Sequence, residues 1–211
     1  MSDADRERVA AIVPVGVLER AKSRLGGMLD AEERHDLVIG LLESTLLATS
    51  GSPGVWRTWV VSPDAEVARI AEAAGATPLR QDGLGLNSGL EQARRTAIEA
   101  GATALVVLPA DLPRVSPAAI EELLSALDTS ERPLVAIVPD RHGRGTNALL
   151  LAPPGVIDFA FGGDSRAAHR DAASRVCTEV VELGGPLALD LDTPDDLLLV
   201  QADPAVGVDA G

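Results

Sequence analysis

The sequence is poor in cysteine: Cys177 is the only one among 211 residues. That rules out an intrachain disulfide and a metal site built from cysteines. Lysine is as scarce, Lys22 being the only one, so every other basic side chain is an arginine or a histidine. Positive charge is short altogether, with 18 lysines and arginines against 32 aspartates and glutamates and a net charge of -14. A basic patch is hard to assemble from such a chain, which makes nucleic acid and anionic membrane surfaces poor partners. An anionic small molecule would have to be met by a metal ion, a helix N-terminus or a few local cations. Long hydrophobic runs are missing too, since none reaches the ~18 residues of a membrane span. The apolar stretch "VAAIVPVGVL" (9–18) follows the mixed-charge "MSDADRER" and has no convincing small-residue cleavage site, so it does not read as a signal peptide. We expect a soluble, cytoplasmic chain, monomer or homodimer, because no coiled-coil pattern or dimer stripe stands out.

What is present is a hydrophobic fraction of 46%, enough at this length for one α/β domain with a sizeable core. Short apolar strands alternate with segments of helical period, the signature of βαβ units and a mostly parallel sheet. Strands are expected at 9–15, 56–62, near "TPLR", at 104–113, 133–140, 146–152 and 177–183, with "LALDLD" (187–192) as the last. Helices are expected at 30–48, 64–74, from "LNSGL" to near Gly101, from Ser116-Pro117 onward, at about 164–175 and at 194–202. The expected fold is a single three-layer, Rossmann-like α/β domain over 9–202 with a mostly parallel, mixed sheet. Residues 1–8 and 203–211 look like frayed tails.

In such sheets ligands bind beyond the carboxyl ends of the strands, and four polar segments fall there. In "LDLDTPDD", Asp190 and Asp192 are two apart, so on a strand both project to one side. Thr193, Pro194 and Asp196 spell a helix start with a capping box and need no further role. The two aspartates do need one, and a divalent cation would supply it; spacing alone leaves metal and structural roles open. In "VVLPADLP", Asp111 ends a buried strand between Pro109 and Pro113 and adds a third carboxylate at the same edge. "GVLERAKSRL" after the first strand carries Lys22 and Arg24, yet it is neither a Walker A loop nor a GxGxxG loop. "FGGDSRAAH" joins Gly162 and Gly163 to a helix start whose N–H groups and Ser165 hydroxyl could hold an anion, or whose Asp164 or Ser165 merely caps the helix. His169, in the same segment, is expected to be a structural hydrogen-bonder rather than a base.

Taken in order, "AKSRL", "LNSGL", "PADLP", "DRHGRGTNAL", "FGGDSRAAH" and "LDLDTPDDL" resemble the 2-phospho-L-lactate / phosphoenolpyruvate guanylyltransferases of coenzyme F-420 biosynthesis, in the MobA-like nucleotidyltransferase superfamily. The resemblance covers about residues 9–200. It implies a nucleotidyltransferase-type fold and transfer of GMP from GTP to a small phospho-carboxylic acid. It further implies that Asp111, Asp190 and Asp192 hold Mg2+ and act in catalysis together with Lys22. Lys22 and Arg24 would lie over the GTP phosphates, with Ser62, Pro63 and Asn87 in the region that receives the nucleoside. Ser165, the Thr146 backbone, Gly162 and Gly163 would bind the acceptor's carboxylate. One departure stands out: family members often have lysine where this chain has Gly16. Other readings are another MobA-like or sugar-phosphate nucleotidyltransferase, a glycosyltransferase with a D-x-D metal motif, and a silent nucleotide-binding protein.

Overall fold

The computed structural model of the chain describes residues 7–178 and 180–202; most of the two expected tails therefore lies outside the described residues. Its seven strands are β1 (Val9–Pro14), β2 (Val55–Ser62), β3 (Thr77–Arg80), β4 (Ala104–Val107), β5 (Leu134–Pro139), β6 (Thr146–Ala152) and β7 (Val180–Glu182). They form one sheet in the order β3-β2-β1-β4-β6-β5-β7. β6 alone runs antiparallel, against β4 on one side and β5 on the other.

The central strands β1, β4, β5 and β6 are almost wholly buried because both faces of the sheet are covered, while the edge strands β3 and β7 carry Arg80 and Glu182. Val9 and Ala11 of β1, Ala104 and Val106 of β4, and Ala148, Leu150 and Ala152 of β6 enter one core. Their alternates, Ala10 and Ile12, Leu105 and Val107, and Leu149 and Leu151, enter the other. The period of two thus sorts a uniformly hydrophobic strand into two faces. One face is closed by α1 (Ala31–Ser50) and α4 (Pro117–Leu124), the other by α3 (Leu86–Glu99) and α6 (Ser165–Arg175). Beside them, α2 (Ala65–Ala73) covers β2, α5 (Ala126–Thr129) extends α4, and α7 (Pro194–Gln201) ends the described chain.

The helix starts follow their cap residues. Asp30 accepts from the Glu32 and Glu33 amides, while Glu33 accepts from the Asp30 amide. Asp64 opens α2 and Ser116, followed by Pro117, opens α4. Thr193 and Asp196 make the expected capping box at α7.

Two expected strands are corrected. The one written as 104–113 ends at Val107; Leu108 still donates to the Ile12 carbonyl, but Pro109 has no N–H to continue the ladder. The segment "LALDLD" is not a strand of the sheet at all. Gly185 in a left-handed conformation (φ 91°) and Pro186 turn it into a 3-10 turn, Pro186–Ala188, followed by irregular chain. The alternation survives without the ladder: Leu189 and Leu191 are buried against Leu25, Leu41 and Leu197, and Asp190 and Asp192 alternate with them, neither buried.

Candidate active site

At the carboxyl edge of the sheet the loop after β1 meets the turn after β4 and the irregular segment 189–193. Lys22 joins them. It sits in the left-handed region (φ 52°) at the start of a short 3-10 turn, Ser23–Leu25, with its side chain 8% exposed. Its ammonium lies 2.9 Å from Asp111 Oδ2 and 2.6 Å from Asp192 Oδ1. Burial pulls its pKa down, but the two carboxylates outweigh burial and raise it above the ordinary lysine value. Arg24 stands further out, exposed, 4.0 Å from Asp192 Oδ2.

Asp190 is held differently. The Asn147 carboxamide donates to the Leu187 carbonyl at 3.1 Å and, at 3.4 Å, to Asp190 Oδ1. Burial first, then the nearby charges of Asp111 and Asp192, raise the Asp190 pKa. The Asp111 carbonyl accepts from the Leu191 amide at 2.9 Å, so the segments bearing the three aspartates are tied by backbone as well.

Asp196 fixes the direction of Asp192. Its Oδ2 accepts from the Asp192 and Thr193 amides and the Thr193 hydroxyl, and its Oδ1 meets the Arg141 guanidinium at 2.6 Å. A capping-box signal was legible in "TPDD"; the tie to Arg141 of the β5–β6 loop was not, because no spacing rule relates the two positions.

Beside these carboxylates a cleft of about 620 Å³ runs between the β1 loop and residues 81–86. Val15, Val17, Val61, Pro63, Leu84, Leu86 and Phe161 make its walls mainly apolar, while Lys22, Asp111 and Asp192 stand within it. That suits a flat aromatic base beside a polyanion. Gln81 Nε2 donates to the Gly83 and Gly85 carbonyls and so shapes the turn; Gly85 has φ 88°. Pro63 lines the cleft. Ser62 is buried beneath it with its hydroxyl accepting from the Asp64 amide. Asn87 is turned elsewhere: its carboxamide pairs with both the N–H and C=O of Phe161, at 2.9 and 3.0 Å. Beyond Gly16 and its two chain neighbours, no heavy atom lies within 4 Å of where a side chain there would begin.

The second polar cluster surrounds the start of α6. Ser165 is buried, and Gly162 adopts φ 141°, a conformation glycine tolerates. The Ser165 amide donates to the Gly162 carbonyl and the Arg166 amide to the Arg144 carbonyl, so fewer N–H groups are free there than the sequence suggested. Thr146, first residue of β6, is bonded through its hydroxyl to buried His169 at 3.1 Å. Arg144 pairs with Asp164, and Arg166 holds Glu182 with two hydrogen bonds.

The model of the family described as "Guanylyl transferase CofC like" matches residues 9–202. The chain belongs to this family. A phosphoenolpyruvate guanylyltransferase of Rubrobacter xylanophilus is 46% identical over 199 residues, covering 94% of this chain and 96% of the relative. One from Sphaerobacter thermophilus is 44% identical, covering 89% of each. Among solved structures, a Desulfovibrio desulfuricans G20 protein provisionally designated a nucleotide-diphospho-sugar transferase matches with TM-score 0.73 at 19% identity over 92% of this chain and 86% of its own. Glucosyl-3-phosphoglycerate synthase from Mycobacterium tuberculosis, in complex with Mn2+, UDP and glucosyl-3-phosphoglycerate, matches with TM-score 0.61 at 15% identity, over 93% and 76%. At such identities the likeness is one of fold.

The fold of this CofC-like chain therefore brings Lys22, Arg24, Asp111, Asp190 and Asp192 to one edge, and Thr146, Gly162, Gly163 and Ser165 to a neighbouring one. It leaves Ser62 beneath the cleft wall and Asn87 in the first turn of α3, paired with the Phe161 backbone. Among the described residues no three histidine, cysteine or acidic side chains already form a metal cage, since Lys22 stands between Asp111 and Asp192. No helix among them is long and apolar enough to cross a membrane.

Proposed function

We propose that the chain transfers GMP from GTP to the phosphate of phosphoenolpyruvate, in the manner of the guanylyltransferases of coenzyme F-420 biosynthesis. A phosphate oxygen of the acceptor bonds to the α-phosphorus, the bond to the β-phosphate oxygen breaks, and pyrophosphate leaves. The observation that carries this reading is Lys22, buried between two carboxylates at the mouth of an apolar cleft, in a chain of this family. The relatives' names favour phosphoenolpyruvate over 2-phospholactate.

The donor set fits a hard divalent cation such as Mg2+: three carboxylates gather beside the Lys22 ammonium, with the Arg24 guanidinium exposed outside them. Asp111, Asp190 and Asp192 would hold the ion, whose charge when bound would screen acceptor from triphosphate and polarise the reacting phosphate. The acceptor is already an anion at neutral pH, so no side chain has to act as a strong base. Lys22, a cation at neutral pH, neutralises charge gathering on the departing pyrophosphate, with Arg24 outside it. The cleft walls take the guanosine. Ser165, the Thr146 backbone and the Gly162–Gly163 loop take the acceptor's carboxylate.

The test is pyrophosphate release with Mg2+, offering phosphoenolpyruvate, 2-phospholactate and 3-phosphoglycerate separately, with GTP and ATP in parallel. Release with GTP and phosphoenolpyruvate is expected. Release with another acid would correct the acceptor, and GTP binding without release would indicate a silent nucleotide-binding protein.

A further inference from the structure

His169 is fully buried in α6, and the reaction as written gives it no part. Its ring is nonetheless fixed on both sides. The Ala160 amide donates to Nε2 at 3.0 Å, so that nitrogen carries a lone pair and no proton. In a neutral imidazole the proton is then on Nδ1, and Nδ1 faces the Thr146 hydroxyl at 3.1 Å. Burial lowers the His169 pKa to about 4, which keeps the ring neutral at physiological pH. With the ring as donor, the Thr146 hydroxyl must accept. A hydroxyl has one proton to give, and among the described residues Thr146 has no other partner to take it.

We propose that His169 is a positioning residue for the acceptor. Its Nδ1–H holds the Thr146 hydroxyl so that the hydroxyl proton points to the acceptor's carboxylate. The inference rests on the acceptor reading above and adds a side-chain donor to it. The same ring also braces the opposite wall. Ala160 and Phe161 lead into Gly162–Gly163, Phe161 meets the imidazole edge-on at 4.9 Å, and Asn87 clamps the Phe161 backbone from α3. One buried ring thus sets both the donor from β6 and the loop that faces it.

The first test needs no turnover. The chain has three histidines, so nitrogen NMR of histidine-labelled protein, with His169 assigned by its loss in His169→Asn, reads the tautomer directly. A protonated Nδ1 and bare Nε2 are expected; a protonated Nε2 overturns the proposal. The second is calorimetric binding of phosphoenolpyruvate with GTP binding as control. His169→Asn keeps an N–H where Nδ1 lies and should bind phosphoenolpyruvate within about threefold of wild type. His169→Gln places its amide at the Ala160 side and should weaken binding about tenfold, as should Thr146→Val, while Thr146→Ser retains affinity. Thr146→Val/His169→Gln should be no weaker than Thr146→Val alone. GTP affinity should not move in any of them. His169→Asn and His169→Gln binding alike, or equal losses for GTP and acceptor, would overturn the proposal and leave the acceptor reading standing. A wild-type chain that does not bind phosphoenolpyruvate overturns both.

Discussion

Lys22 is where the chemistry and the physics of the chain meet most closely. Its partners lie 89 and 170 residues away in sequence, so no local pattern announced the contact, although its being the only lysine did single it out. Lys22→Met should abolish pyrophosphate release by at least about a hundredfold, the scale for removing a charge-stabilising donor. The fold should survive: Asp111 and Asp192 are 29% and 42% exposed and can rehydrate, so thermal unfolding should shift by less than about 2 kcal/mol. Asp192→Ala should likewise lose turnover with near-native circular dichroism; an unfolded Asp192→Ala would mean that the aspartate is structural. Gly16 makes the converse prediction. Space is open around it, so Gly16→Lys should fold normally and lower the apparent KM for GTP.

Among the elements, α7 and α6 do more than close the core. The start of α7 was legible in "TPDD" as a capping box, but not its coupling to Arg141, which enters from the β5–β6 loop. Asp196→Ala should lower stability by about 1 kcal/mol through the lost cap and reduce turnover further than that loss explains, because the Asp192 amide loses its acceptor. Urea unfolding and kcat measured on one preparation separate the two effects. α6 carries a pH dependence of its own. His169 in the folded chain titrates at about 4 against an ordinary 6.5, so the unfolded chain binds the extra proton between those values. Stability is therefore complete above about pH 6.5 and falls toward pH 4, by on the order of 3 kcal/mol for this group. His169→Asn should flatten that part of the stability–pH curve in urea titrations. An unchanged slope would contradict the burial of a neutral ring.

Across the whole molecule, the sheet and its two cores were readable because apolar strands and amphipathic helices alternate in the chain. Ile12 and Val13 go to opposite faces for a reason of period alone. β5 and β6 run antiparallel because the polar loop between them is too short for a crossover, a pairing the sequence leaves unspecified within a mixed sheet. "LALDLD" misled because its alternation mimics a strand, whereas Gly185 and Pro186 cut it off from the ladder and its amides bond to Asp111 and Asp196 instead. The site was legible as a set of segments, since "PADLP" and "DLDTP" both fall at one sheet edge. Its contacts were not, because they depend on how a loop, a turn and an irregular strand-like piece close on one ammonium. A net charge of -14 also means that the chain itself offers anions little help, which in the proposed reaction would place the burden on Lys22 and a divalent cation.

In the proposed reaction a bond forms between the α-phosphorus of GTP and the phosphate of phosphoenolpyruvate. Phosphorus NMR of the mixture after incubation with the chain and Mg2+ reads that bond directly. We expect two new, mutually coupled signals from a P–O–P linkage, appearing in step with pyrophosphate and absent with Asp192→Ala. GMP and pyrophosphate with phosphoenolpyruvate unchanged, or GDP and phosphate, would contradict the account.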